Sequence, residues 1–341
     1  MEGYVLDGSP KSIKIKEGEV QTLTFTNQKA GTLVILKKDS VSGALIPGAQ
    51  FQLTYANGGF VDADNGHLSS NGLYTTDDKG EIRISGLVGT IVAKEIKAAP
   101  GYVMDASTQT QTVTVNPEDT QTLTFLNEPL CSLTIIKLDS VTGKPVPNTT
   151  FAVKDGNGNV LATCTTGADG TATVTGLVPN STVVVVETKA PAGYVLNTTP
   201  QTIIVKNGSN TVTSGSNANT NVGNNGGGND LTFENDPKQT LTIHKYIEGT
   251  ANEPLAGVCF KVVDGSGAPV GPGDGTFYTD AKGEIVIEGL EPGTTITARE
   301  VKTVEGFVLD GTPKSVNIKA GQGAPELIRS GPSGNMIVRR S

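Results

Sequence analysis

Lysine, asparagine and glutamate recur at matching places in this chain of 341 residues, on sides of strands where polar groups are costly. Asn27 and Lys37 stand ten residues apart, as do Asn127 and Lys137, and Asn235 and Lys245. Each asparagine ends a run of the form "L-T-F-x-N", and each lysine ends a run such as "L-V-I-L-K", "L-T-I-I-K" or "L-T-I-H-K". Side chains alternate faces along a strand, so Leu133, Ile135 and Lys137 share one face, and Leu123, Phe125 and Asn127 share another. A third set follows the same rule: Glu95 keeps phase with Ile91 and Ala93, Glu187 with Val183 and Val185, and Glu300 with Ile296 and Ala298. An amine, an acid and an amide thus point toward one apolar interior, where an unpaired polar group costs several kcal/mol.

Three readings account for such a set. The lysine and glutamate form a buried ion pair with the asparagine bonded to it; or strand twist lets all three reach water; or the three react. In the third, burial lowers the lysine pKa and raises that of the glutamate, because both charged forms are disfavoured in a dry core. A neutral amine is a competent nucleophile toward the asparagine carboxamide carbon. A protonated glutamate can donate to the amide oxygen and carry a proton to departing ammonia, leaving an isopeptide bond between two strands. Packing supplies the proximity, once per domain.

The elements that must hold these residues are strands. Val, Thr and Gly are abundant, aromatics make up 5% and Trp is absent, which favours many short strands with glycine turns. The landmarks return about every hundred residues. Strands begin near Phe51, Phe151 and Phe260, and turn-plus-strand runs follow: "T-D-D-K-G-E-I-R-I", "T-G-A-D-G-T-A-T-V" and "T-D-A-K-G-E-I-V-I". The glutamate strands then lead to "A-A-P-G-Y", "A-P-A-G-Y" and "T-V-E-G-F". About seven short strands per unit without a helical period predict an all-β chain of tandem immunoglobulin-like or prealbumin-like β-sandwich domains. The frame divides the chain into residues 1–28, the end of a preceding repeat; repeat one, 29–129; repeat two, 130–237; repeat three, 238–332; and 333–341, the first strand of a following repeat. Within repeat two, residues 211–229 are Gly, Asn and Ser rich and read as a mobile loop. The chain opens in mid-repeat, so it reads as a fragment of a longer array.

Composition removes several function classes. A net charge of −8 and pI near 4.9 argue against nucleic acid and anionic membranes as partners. No stretch approaches the length of an apolar membrane span, and Met1 is not followed by a signal region. Cys131, Cys164 and Cys259 have no metal or redox spacing and read as packed thiols. "D-A-D-N-G" at Asp62, Asp64 and Asn65, and "D-G-N-G-N" at Asp155, Asn157 and Asn159, echo calcium loops but lack the full ligand register; hairpin turns explain them better. His244 is expected to face outward and His67 to sit in a polar loop, and neither belongs to a catalytic triad. No cofactor and no metal site are expected.

In combination, "L-T-I-I-K-L-D-S-V-T-G-K-P-V-P-N-T-T-F", "V-V-V-E-T-K-A-P-A-G-Y-V-L" and "L-T-F-L-N-E-P" resemble the B-type repeat of the collagen adhesin, the SpaA-type or prealbumin-like domain of Gram-positive surface proteins and pilins. The resemblance covers essentially the whole chain. It implies a bond from the first-strand lysine to the last-strand asparagine, with the middle-strand glutamate as catalyst: Lys37 to Asn127 with Glu95, and Lys137 to Asn235 with Glu187. Repeat three departs from the pattern. Lys245 and Glu300 are present, but Ser330 stands where an asparagine is needed, so no bond is expected there. Arg340, at the next lysine position, carries a permanently charged guanidinium that cannot attack. Asn27 is an orphan acceptor.

The function expected is that of stalk repeats in an adhesin or pilus-like protein, extracellular and on the cell wall of a Gram-positive bacterium. The only chemistry expected is single-turnover, intramolecular bond formation within repeats one and two. Neighbouring repeats are partners, and host matrix or glycan would be met through domains outside this fragment. A matrix- or glycan-binding module and a spacer of a secreted enzyme are the alternatives; few aromatics and no nucleophile set speak for either.

Overall fold

The structure is a computed structural model and describes residues 3–62, 70–207, 211–214, 229–321, 328–329 and 335–340. At the start, β1 (Tyr4–Val5) pairs antiparallel with β2 (Gln28–Lys29), and Asn27 is exposed.

Repeat one is a sandwich of two four-stranded sheets. Its strands are β3 (Gly31–Asp39), β4 (Gln50–Tyr55), β5 (Leu73–Thr75), β6 (Glu81–Leu87), β7 (Gly89–Lys97), β8 (Tyr102–Met104), β9 (Thr110–Val115) and β10 (Thr120–Pro129). One sheet has the order β6-β3-β10-β8, the other β5-β4-β7-β9. The first and last strands, β3 and β10, run parallel, with Lys37 opposite Phe125 and Asp39 opposite Asn127. Parallel neighbours cannot be joined by a tight turn, so the whole sandwich is threaded between them. Alternation works as predicted: Leu33, Ile35, Leu123 and Phe125 of one sheet meet Phe51, Leu53, Ile91 and Ala93 of the other in one core. Phe51 and Phe125 pack edge to face, 4.8 Å between ring centres, a favoured aromatic geometry.

Repeat two repeats the plan. β11 (Cys131–Asp139), β14 (Thr171–Leu177) and β18 (Asn229–Asn235) form one sheet, in the order β14-β11-β18. The other holds β12 (Thr150–Asp155), β13 (Val160–Thr165), β15 (Thr182–Lys189), β16 (Gln201–Ile204) and β17 (Thr211–Ser214). Here β11 and β18 are parallel, with Lys137 opposite Phe233 and Asp139 opposite Asn235. The loop reading of 211–229 differs from the structure at its start. Thr211–Ser214 pair antiparallel with β16, because "T-V-T-S" still alternates; most of the remainder lies outside the described residues.

Repeat three contains β19 (Gln239–His244), β22 (Glu284–Leu290), β25 (Ile328–Arg329) and β26 (Asn335–Arg340) in one sheet. The other consists of β20 (Cys259–Asp264), β21 (Thr276–Tyr278), β23 (Thr295–Lys302) and β24 (Lys314–Asn317). Its closing strand differs in direction. β26 runs antiparallel to β19, with Gln239 opposite Arg340 and His244 opposite Asn335. β26 lies in the segment read as the opening strand of a following repeat.

Candidate functional site

In repeat one the three expected residues meet between the sheets, and none of them is reached by solvent. Lys37 comes from β3, Glu95 from the facing β7 and Asn127 from the end of β10. Lys37 Nζ donates to Glu95 Oε2 at 2.6 Å and to the Leu126 carbonyl at 2.8 Å. The Asn127 amide is held at both ends: Nδ2 donates to that same Leu126 carbonyl at 3.0 Å, and Oδ1 accepts from the Ala99 backbone N–H at 3.2 Å. The lysine amine and the asparagine amide nitrogen therefore share one acceptor. Burial pushes the Lys37 pKa down, against the pull of the Glu95 charge.

Repeat two assembles the same residues with different contacts. Lys137, Glu187 and Asn235 are again buried. Here Glu187 bridges the set, accepting from Asn235 Nδ2 at 2.6 Å through Oε1 while its Oε2 lies 3.8 Å from Lys137 Nζ. Among the described residues, Lys137 Nζ and Asn235 Oδ1 have no hydrogen-bond partner. Burial pushes the amine down to about 8 from 10.5, partly offset by Glu187. It also pushes the Glu187 carboxyl up, despite the Asn235 hydrogen bond. Both directions are those that nucleophilic attack and acid assistance require.

In repeat three, Lys245 Nζ and Glu300 Oε2 pair at 2.9 Å and both are buried. Ser330 lies outside the described residues, as do Asp64, Asn65 and His67. His244 is not outward-facing: it is 9% exposed, with Nδ1 3.4 Å from Glu284 Oε1, because every residue of β19 is buried on whichever face it lies. Asp155 is a hairpin cap; its carboxylate accepts from the Asn157 and Asn159 N–H groups and the Asn159 side chain.

Local chemistry explains why the lysine strands sit where they do. In "T-D-D-K-G", Thr76 is buried; its hydroxyl accepts from Ala49 N–H and donates to the Ile46 carbonyl. Thr166 and Thr279 make the corresponding pair of bonds. The glycine ending the turn has φ near +70° at Gly80, Gly170 and Gly283, and its carbonyl accepts from the N–H of Lys37, Lys137 or Lys245. A Cβ at Gly80 would stand 2.6 Å from Ile46 N.

Sequence reasoning missed a second tether. Asp39 Oδ2 accepts from the Tyr102 hydroxyl at 3.1 Å, and Asp139 Oδ2 from Tyr194 at 3.0 Å, fastening the lysine strands of repeats one and two to the segment that follows the glutamate strand. The signal was present in "K-K-D" and "K-L-D" with "G-Y"; repeat three has Ile247 and Phe307 at those places. The backbone partners Leu126 and Ala99 left no such signal.

The profile of the SpaA family, described as a prealbumin-like fold domain, matches residues 31–129, 131–219 and 239–328. No curated protein matches. Among solved structures the chain is similar to the Bacillus anthracis TIE protein, at 23% identity and TM-score 0.37, over 86% of this chain and 49% of that one. It thus spans about half the length of that protein. It is also similar to a streptococcal ancillary pilin, at 21% identity and TM-score 0.32, over 66% and 69% of the two chains. A third is BcpA, the major pilin subunit of Bacillus cereus, at 15% identity and TM-score 0.33, over 86% and 97%.

Proposed function

Because the chain belongs to the SpaA family of prealbumin-like fold domains, we propose that it is a run of stalk repeats, the first two of which are cross-linked by self-formed lysine–asparagine isopeptide bonds. The bonds join Lys37 to Asn127 and Lys137 to Asn235. The observation that carries this reading is that amine, acid and amide are brought together, buried, in both repeats. A stalk of this kind belongs outside the cell, on the wall of a Gram-positive bacterium, in an adhesin or pilus-like protein. Its partners in this region are the neighbouring repeats.

The chemistry follows from the contacts. The neutral amine adds to the asparagine Cγ, and the carbonyl electron pair moves onto Oδ1. One amine proton passes through the glutamate to Nδ2, the Cγ–Nδ2 bond breaks, ammonia departs and the carbonyl reforms. In repeat two a half-turn of the Asn235 amide brings Oδ1 onto the Glu187 carboxyl, which donates its proton to it. Repeat three keeps Lys245 and Glu300 as an ion pair and, with Ser330 in place of an amide, forms no bond.

Intact-mass measurement tests this directly. The purified chain is expected to be lighter than its sequence by two ammonia molecules, with one regained in Glu95→Ala and the other in Glu187→Ala. Folded protein of unmodified mass would refute the cross-links.

A further inference from the structure

The two repeats differ in what faces the amide oxygen, and the difference is written in a one-residue transposition of proline. Counting from the glutamate, repeat one reads "E-I-K-A-A-P-G-Y" and repeat two "E-T-K-A-P-A-G-Y". Ala99 and Pro191 therefore occupy the same position, four residues after Glu95 and Glu187. Ala99 directs its backbone N–H at Asn127 Oδ1, 3.2 Å away and fully buried. Proline has no N–H to give, and Asn235 Oδ1 is left without a partner among the described residues in a buried site.

We propose that the Ala99 backbone N–H is the oxyanion donor of repeat one, and that repeat two, lacking it at Pro191, depends on the Glu187 carboxyl for the same task. The inference rests on the cross-linking reading above. When the Lys37 amine adds to Cγ of Asn127, negative charge develops on Oδ1, the atom Ala99 already faces. A fixed backbone dipole in a dry site meets that charge without reorganising. Glu95 is thereby left to one duty: it sits on Lys37 Nζ, takes its proton and passes it to Nδ2, which leaves as ammonia while the carbonyl reforms. In repeat two the acid holds the amide itself and must serve both the oxygen and the proton transfer. The bond in repeat one therefore forms faster, and its rate depends less on the protonated form of its glutamate.

The full chain is made by cell-free synthesis, quenched at intervals in acid and denaturant, and digested; mass spectrometry then follows the two linked peptides separately. Loss of one oxyanion donor costs about 10²–10³-fold in related chemistry. Ala99→Pro should accordingly slow the Lys37–Asn127 link by roughly 10²-fold and leave the Lys137–Asn235 link alone. Ala99→Gly, which keeps the N–H, should retain most of the rate. Pro191→Ala supplies the missing donor and should speed the second link by about tenfold or more; it guards against Ala99→Pro failing merely by misfolding. Unchanged kinetics in both Ala99→Pro and Pro191→Ala would overturn the assignment while leaving the bonds in place. Absence of either linked peptide from the wild-type chain would overturn the cross-linking itself.

Discussion

A lysine buried opposite a carboxyl behaves differently from one in water, and the Lys137 amine makes the difference measurable. With its pKa pushed down to about 8, about one molecule in ten carries the neutral amine at pH 7, against about one in three thousand for an ordinary lysine. Because the link needs the neutral Lys137 amine together with the protonated Glu187 carboxyl, its rate should rise from acid pH, stop rising by about pH 8 and fall once both groups have lost their protons; a rise continuing toward 10.5 would contradict the burial argument. Stability should follow the same group. In Asn235→Ala, which cannot cross-link, the unfolded lysine binds a proton between about pH 8 and 10.5 that the folded one does not. Repeat two of that variant should therefore gain stability as pH rises through this window. Glu187 works in the opposite sense: its folded pKa is raised, so its stabilising effect is complete at acid pH and is lost as pH rises through the folded value. Urea midpoints measured across pH would show both limbs.

Positioning belongs to the turns and tethers around each lysine strand. Gly80 combines φ +69° with a backbone approach that no side chain tolerates. Gly80→Ala should cost repeat one about 1–2 kcal/mol from the left-handed conformation alone and more from the displaced Ile46 backbone, with a matching delay in the Lys37–Asn127 link. The tyrosine tether is gentler. Tyr102→Phe removes the hydroxyl from Asp39 Oδ2, an interaction of about 1 kcal/mol, while the Val41 and Ser42 N–H groups still hold Oδ1. Thermal unfolding of a Lys37→Ala background, in which no bond masks the effect, would rank the two; equal midpoints would mean that neither contact positions the strand.

At the scale of the molecule, the parallel pairing of first and last strands in repeats one and two gives the proposed cross-links a mechanical meaning. β3 and β10 lie side by side, so a bond between Lys37 and Asn127 closes a loop of about 90 residues and carries tension across the domain without opening its sheets. In the chain-entropy treatment used for disulfides, such a loop destabilises the unfolded state by roughly 4–5 kcal/mol. Glu95→Ala and Glu187→Ala combined should lose an effect of that size in each of the first two repeats, read as lower denaturant midpoints. Pulled from its ends, the wild-type chain should show one long extension of roughly 300 Å, from repeat three. The double variant should show three. A wild-type trace with three long extensions would remove the mechanical role.

The strands, their faces and the presence of lysine, glutamate and asparagine in one interior were legible in the residues, because a period of two and a ten-residue spacing repeat three times with the same phase. Turn glycines and the "L-T-F-x-N" runs placed the closing strands of repeats one and two as well. Contacts made across the sandwich were not legible. Which carboxyl oxygen meets which nitrogen, the shared Leu126 carbonyl and the Ala99 N–H all depend on the stagger of two sheets brought together by residues far apart in sequence. Alternation assigns a residue to a face but says nothing about its height along the facing strand. For the same reason β26 could be read as a strand yet not as the antiparallel neighbour of β19: strand direction is set by the path of the chain between elements, which only the tertiary structure decides.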